Sequence, residues 1–510
     1  MSISMLLDLA VEQYGDRIAL GGVGSGISYL ALDRFSKAGA AGLGAGDSRS
    51  LAFVGVNGPA VPLLLFSAAR AGVPFVPLNY RLSSGALCGL LGELDRPRVI
   101  ADESFAPALT AGLGGTVRVT TSTEWLADCE ERAPRAAWEP PVASSPTAIV
   151  LFTSGTTAKP KGVLLRHENL ISYILGTVEL GGAGSRECNL VSVPPYHVAG
   201  MGGVLSNIYA GRRMAYLPDF EPRRWLESVV RENVSHAMLV PTMLARIVEE
   251  NRNRPVPLPS LKSIAYGGAK IQERVLVEAL RLLPDVDFAN AYGLTETSST
   301  IALLSPQDHR EALNSDDPGV RARLRSAGRP VPGIEVQVRG PDGGPPLPAG
   351  VTGELWIRGD QVSGEYEGAG SVLDGDGWFP TRDRVKIDAD GYLFIEGRAD
   401  DTIIRGGENI YPAEIEQVLL QHPAVADVCV FGLPDEEWGE RIAAAVVPAV
   451  ASPDPEDIRA FARARLRGSR TPDIVVVRSQ LPYGPAGKII RRDLAREILS
   501  AAGQAEEVPI

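Results

Sequence analysis

Short, wholly apolar runs separated by amphipathic stretches constrain this chain more than any other feature. Leu51-Ala52-Phe53-Val54-Gly55, Ala148-Ile149-Val150-Leu151-Phe152 and Ala237-Met238-Leu239-Val240 lack polar alternation. Strands covered on both faces of a parallel sheet read this way. Between them, patterns such as Trp225 to Glu232 put Leu226, Val229 and Val230 on one helical face. The alternation over about 50–300 predicts a layered α/β sheet with helices on both sides.

Near Gly333 the period changes. Ile334, Val336 and Val338, then Leu355 and Ile357, alternate with polar residues, as half-exposed antiparallel strands do. Val385-Lys386-Ile387 and Tyr392-Leu393-Phe394-Ile395 flank Asp388-Ala389-Asp390-Gly391, the pattern of a hairpin. A small β subdomain is expected at about 330–397. After the turn-like Gly397-Arg398-Ala399-Asp400-Asp401, Pro412 opens a helix carrying Ile415, Val418 and Leu419. Strands follow at Val425–Leu433 and Ile442–Pro448. The expected organisation is a large domain over 1–397, a hinge at 398–401 and a smaller mobile α+β domain over 402–510. Pro341-Asp342-Gly343-Gly344-Pro345-Pro346 reads as a surface loop.

Charge narrows the function. Fifty Lys and Arg against 62 Asp and Glu leave −12, with no basic stripe beyond Arg491-Arg492. A protein that coats nucleic acid carries the opposite balance, so no nucleic-acid partner is expected. The cysteines Cys88, Cys129, Cys188 and Cys429 are far apart and the five histidines are scattered. That spacing speaks against a zinc site and a disulfide framework and fits a reducing compartment. Met1-Ser2-Ile3-Ser4-Met5 lacks a basic signal region. The most apolar stretch, Val61 to Ala69, stops at Arg70, too short for a transmembrane segment. A cytoplasmic protein is expected.

The segment richest in chemistry is Thr153-Ser154-Gly155-Thr156-Thr157-Ala158-Lys159-Pro160-Lys161-Gly162, directly after an apolar strand. Its hydroxyls, glycines and lysines, read as a loop before a helix, supply donors for phosphate oxygens. Pro160 stands where a Walker A loop has its second glycine, so this is a different phosphate loop.

It resembles the phosphate loop of the adenylate-forming superfamily, which includes acyl-CoA and aryl-CoA synthetases, amino-acid adenylation domains and firefly-type luciferases. Four more of that family's motifs recur in order. Asn290-Ala291-Tyr292-Gly293-Leu294-Thr295-Glu296 resembles the adenine and magnesium motif. Gly377-Trp378-Phe379-Pro380-Thr381-Arg382-Asp383, followed by Gly397-Arg398, resembles the ribose motif. Arg405-Gly406-Gly407-Glu408-Asn409-Ile410-Tyr411-Pro412 and Gly487-Lys488-Ile489-Ile490-Arg491-Arg492 resemble the two motifs of the mobile domain.

The resemblance implies an ATP-dependent carboxylic acid–CoA ligase that works through an acyl-adenylate. The acid attacks the α-phosphate, pyrophosphate leaves, and a thiol then displaces AMP. An anion must approach an anion, so cations and oriented donors are required. By resemblance, Lys488 bridges carboxylate and α-phosphate, Lys161 assists, and Glu296 with Thr156 holds Mg²⁺. Thr153, Ser154, Gly155, Thr156, Thr157, Gly268, Ala269, Ala291, Tyr292, Gly293, Thr295, Asp383 and Arg398 bind ATP, with Asp383 on the ribose hydroxyls. Asp400 is the hinge, and Gly406 and Gly407 line the CoA passage. His197, Val198, Met201, Gly267 and Ser298 line the acyl pocket.

Amino-acid adenylation domains carry Phe-Asp where this chain has Tyr196-His197. An acid without an α-amino group, fatty or aryl, is therefore expected. Further departures are Ala158 for glycine, Arg382 for a small residue, Lys270 for proline, and a short stretch from Tyr366 to Asp376. The alternatives are an acyl-AMP ligase that loads a carrier protein and a nucleotide-binding regulatory pseudoenzyme. A homodimer is a further expectation.

Overall fold

The computed structural model describes residues 1–44, 47–115, 117–134, 138–139, 141, 144–153, 160–340, 343–451, 453–483 and 489–501, without the side chains of Asn409 and Ala501. By its internal contacts the chain divides into two compact units, the second comprising 336–356 and the chain from 380 onward. All four cysteines are unpaired. No helix among the described residues is long and apolar enough to cross a membrane.

Two large sheets organise the first unit. The apolar runs form Ser50–Val54 and Thr147–Thr153 in an eight-stranded sheet. Its order is Gly370–Ser371, Glu365–Tyr366, Lys161–Arg166, Thr147–Thr153, Phe75–Pro77, Ser50–Val54, Pro97–Ala101, Val119–Thr121. The third run, His236–Leu239, lies in a nine-stranded sheet, between Ser263–Gly267 and Cys188–Val191. Both sheets are parallel at their centres; the eight-stranded one turns antiparallel toward one edge and the nine-stranded one at both. Hydrophobic clusters cover their faces, with Phe53, Phe66, Phe75, Trp225 and Tyr266 among the largest wholly buried side chains.

Two expectations require correction. The helix Pro222–Arg231 buries Trp225, Leu226 and Val229, but Val230 is 48% exposed. At 100° per residue, 225, 226 and 229 define the buried stripe and 230 falls beyond its edge. The phosphate-loop segment is also followed by a strand instead of a helix. Lys161–Arg166 pairs antiparallel with Thr147–Thr153, and a helix begins only at His167. The apolar Val163-Leu164-Leu165 favours a buried strand, so no helix directly follows the segment among the described residues.

The second unit holds most of a four-stranded sheet, ordered Glu335–Arg339, Gly353–Arg358, Phe379–Ile387, Leu393–Arg398, the last pair antiparallel. The expected hairpin is its last pair, and Asp388 Oδ1 closes the turn by accepting from the amides of Asp390 and Tyr392 at 3.0 and 2.8 Å. A five-stranded sheet joins Glu408–Ile410, Ile403–Arg405, Gly439–Pro448, Val425–Asp435 and Ile474–Val477. Against it pack Ile415 and Leu419 of the helix Pro412–Leu419.

Candidate active site

Within the first unit, the strand Asp287–Leu294 carries Ala291, Tyr292 and Gly293 between two neighbours. On one side Gly267 stands level with Ala291, so close that an added Cβ would lie 2.1 Å from the Ala291 carbonyl oxygen. On the other, a Cβ on Gly293 would lie 1.8 Å from the Ser299 oxygen. Only glycine permits both approaches. Gly268, at φ +83°, turns the chain toward Ala269 directly after its strand.

The turn Thr295–Thr297 then presents Glu296. Thr297 Oγ1 accepts from Leu294 N at 3.0 Å and donates to the Ser299 carbonyl at 2.8 Å. Buried Gln361 donates to the carbonyls of Thr297 and Thr300 at 3.0 and 2.8 Å. The Glu296 carbonyl accepts from Ser363 N at 2.9 Å and Gly364 N at 3.2 Å. Its carboxylate Oε1 accepts from the Tyr366 hydroxyl at 2.8 Å, and among the described residues it makes no ion pair. A positioned carboxylate with an oxygen left over is a hard donor of the kind that suits Mg²⁺.

The segment that grips Glu296 is itself anchored. Glu365 receives two bonds from Arg166, Nε to Oε2 at 2.7 Å and the other guanidinium nitrogen to Oε1 at 3.1 Å. Asn169 donates to the Asp360 carbonyl at 2.8 Å, and Glu367 N donates to Gly162 O at 2.8 Å. Thr153 and Lys161 stand opposite one another at the ends of their strands. Ser154, Gly155, Thr156 and Thr157 lie outside the described residues.

His197 caps the helix Val198–Ala210, its ring 4.4 Å from that of Tyr196, which meets Tyr80 edge-on at 5.5 Å. Val198 is half-buried, whereas Met201 and Ser298 are 0% exposed and Met201 belongs to the core. The Tyr196 and Ser298 hydroxyls are buried without a hydrogen-bond partner among the described residues, and burial pushes the Tyr196 phenol up to about 12.

Tyr266, directly before Gly267, bonds buried His309, which has no counterpart in the motifs. His309 Nδ1 lies 2.8 Å from the Ser305 carbonyl and must donate to it, so Nε2, at 2.8 Å, accepts from the Tyr266 hydroxyl. Burial lowers the His309 pKa and keeps the ring neutral.

In the second unit, Asp383 is 5% exposed, and its amide donates to Thr381 Oγ1, which donates in turn to the Leu355 carbonyl. Arg398 stands opposite in the hairpin, with Nε 3.8 Å from Asp383 Oδ1. Arg382, between Thr381 and Asp383, adopts φ +63° and lies 3.9 Å from Glu354. Asp400 sits in the turn Ala399–Asp401, next to Asp401, which pairs with Arg491 at 2.9 Å. Gly406 and Gly407, at φ +57° and +80°, form the two-residue turn of a hairpin whose first glycine faces the Trp438 ring. Lys488 lies outside the described residues.

Comparison with known proteins fits this arrangement. The family model of AMP-binding enzymes matches residues 7–367, and that of the AMP-binding enzyme C-terminal domain matches 414–488. A feruloyl-CoA synthase from an Amycolatopsis species is 34% identical, over 93% of this chain and 94% of its own. The fatty acid–[acyl-carrier-protein] ligase ScoC of Streptomyces coeruleorubidus is 33% identical, over 89% and 87%. The o-succinylbenzoate CoA synthetase of Bacillus subtilis, solved with its acyl-adenylate intermediate, superposes with a TM-score of 0.80 at 28% identity, covering 96% of this chain and 97% of its own.

Proposed function

The chain belongs to the AMP-binding enzymes of the adenylate-forming superfamily, in its acyl-CoA synthetase branch, and on that premise we propose that it joins an aryl or fatty acid to coenzyme A. The observation that carries this reading is the match to a CoA-forming relative across both domains, at 34% identity over 93% of the chain.

In the first half-reaction the carboxylate oxygen attacks the α-phosphorus of ATP, the bond to the β-phosphate oxygen breaks, and pyrophosphate leaves. Thr153, Ser154, Gly155, Thr156, Thr157 and Lys161 supply donors to the phosphates. Gly268 and Ala269 with Ala291 and Gly293 give the adenine a surface of small residues beside Tyr292, and Gly267 lines the adjoining acyl pocket. Asp383 and Arg398 serve the ribose. Lys488 brings a movable ammonium to the incoming carboxylate, where such a charge stabilises the transition state most. Glu296, with Thr156, would hold Mg²⁺, whose charge offsets that of the phosphates.

In the second half-reaction the CoA thiol, as thiolate, attacks the acyl carbon and AMP departs. The turn at Gly406-Gly407, where side chains are absent, is the place for pantetheine. Asp400 marks the hinge between the large and mobile domains. No carboxylate stands at Tyr196-His197 to receive an ammonium, which supports an acid without an α-amino group. The unpartnered Tyr196 and Ser298 hydroxyls favour an aryl acid with an oxygen substituent over a plain alkyl chain, since buried hydroxyls seek partners.

One observation favours a second acceptor. ScoC transfers to acyl carrier protein and is 33% identical over 89% of this chain, so a carrier-protein thiol is the alternative to CoA. The test is a panel of hydroxylated aryl, plain aryl and alkyl acids with ATP, assayed for acyl-CoA by mass. Acyl-CoA from the oxygenated aryl acids supports the proposal. Accumulation of acyl-AMP that only a carrier protein discharges replaces CoA as acceptor, and no adenylate from any acid overturns the ligase reading.

A further inference from the structure

Three residues within the stretch 363–366 hold both ends of Glu296. Ser363 and Gly364 donate main-chain amides to its carbonyl at 2.9 and 3.2 Å, and Tyr366 donates its hydroxyl to carboxylate Oε1 at 2.8 Å. The strand that carries Tyr366 pairs with the strand leaving the phosphate-loop segment, Tyr366 opposite Val163. Its neighbours fasten it there. Glu365 takes the fork of Arg166, and Glu367 N donates to the carbonyl of Gly162. The phenol is therefore a donor on a rigid arm, and its one proton can engage one oxygen.

A glutamate side chain loses substantial rotamer freedom when it is ordered. At Glu296 that loss is met during folding, before any ligand arrives. We infer that Tyr366 is the positioning residue for Glu296, fixing Oε1 and reserving the second oxygen, so that the carboxylate binds a divalent cation through one atom. The inference rests on the ligase reading, which makes Glu296 the carboxylate for the cation that accompanies ATP. It has a consequence for cation choice. Mg²⁺ demands near-octahedral geometry and is content with one oxygen from a carboxylate, whereas Ca²⁺ accepts both oxygens of one group. A carboxylate engaged by a phenol favours the smaller ion.

The test is ATP binding by calorimetry, without turnover, in Mg²⁺, in Ca²⁺ and in EDTA, for wild type, Tyr366→Phe, Glu296→Gln and the double variant. Wild type should bind ATP more tightly with Mg²⁺ than with Ca²⁺ or EDTA. Tyr366→Phe, whose Tm is checked in parallel, should weaken Mg²⁺-dependent binding roughly 10- to 150-fold, the range for losing a bond to a charged group. It should also narrow the Mg²⁺ over Ca²⁺ preference while leaving binding in EDTA unchanged. Removal of the hydroxyl in the Glu296→Gln background should cost no further affinity, a non-additivity that a merely structural role would not produce. If Tyr366→Phe does not fold, Tyr366→Trp, an aromatic without the hydroxyl, takes its place.

Unchanged Mg²⁺ dependence in a folded variant, or full additivity with Glu296→Gln, overturns the positioning role and leaves the ligase reading standing. A wild type whose ATP affinity ignores Mg²⁺ overturns both.

Discussion

The hydroxyl of Tyr266, the residue before Gly267, and Nε2 of His309 meet at 2.8 Å in a wholly buried site. Removing one partner strands the other away from water, which costs about 1–3 kcal/mol. His309→Ala should therefore lower stability by at least that amount in chemical denaturation, the lost ring leaving a cavity as well. Tyr266→Phe with His309→Leu should recover part of it, because an apolar pair leaves no orphaned group.

Acid should weaken the first unit through His167. Its Nδ1 accepts from Ile3 N at 3.2 Å, so the ring is neutral, and burial followed by the nearby N-terminal amine lowers its pKa from 6.5 to about 4. The folded pKa lies below the unfolded one. The stabilising difference is therefore complete above pH 6.5 and lost as pH falls toward 4. This residue alone should remove about 2 kcal/mol between pH 7 and pH 5. Denaturation at the two pH values checks it, and His167→Gln should flatten the dependence by about that amount.

Gly267→Ala has no room to be tolerated, since its Cβ would stand 2.1 Å from the Ala291 carbonyl oxygen. The strands must separate, a strain of about 1–3 kcal/mol. Because Ala291 lies in the segment proposed to bind adenine, ATP affinity should fall roughly 10-fold or more. Calorimetry on the folded variant decides this, and unchanged affinity would show that the close approach of Gly267 to Ala291 does not shape nucleotide binding.

Arg382→Gly should make the protein more stable. The residue is 60% exposed at its side chain and held at φ +63°, with Glu354 no nearer than 3.9 Å. A left-handed conformation costs a non-glycine residue about 1–2 kcal/mol, and a 3.9 Å surface contact returns little of that. A rise in Tm with ATP affinity retained is the expected result. A fall would mean that the guanidinium serves the fold or the nucleotide.

The strands at Ser50–Val54, Thr147–Thr153 and His236–Leu239 were readable because burial on both faces writes itself as an apolar run. Val230 lies at the edge of its helix's apolar stripe, where apolar character alone does not decide burial. The helix expected after the phosphate loop is a strand because pairing with Thr147–Thr153 decides the state of Lys161–Arg166, and pairing is not local. The supports of Glu296 were hidden for the same reason. Tyr366 is 70 residues away in sequence, and Arg166 is 199 from Glu365. Motifs announce the groups proposed to touch ligand, while the groups that hold those in place come from tertiary pairing. Ser154 to Thr157 and Lys488 rest on the sequence motifs alone.

The central claim is acyl transfer to CoA through an adenylate that depends on Lys488. Its most direct measurement is pyrophosphate release with an oxygenated aryl acid, for wild type and Lys488→Ala, each with and without CoA. The account predicts CoA-stimulated release, with acyl-CoA and AMP formed in equal amounts, that falls about 100- to 1000-fold in the variant, as for loss of one transition-state donor. Equal release from both proteins, or no acyl-CoA from wild type in the presence of CoA, would contradict it.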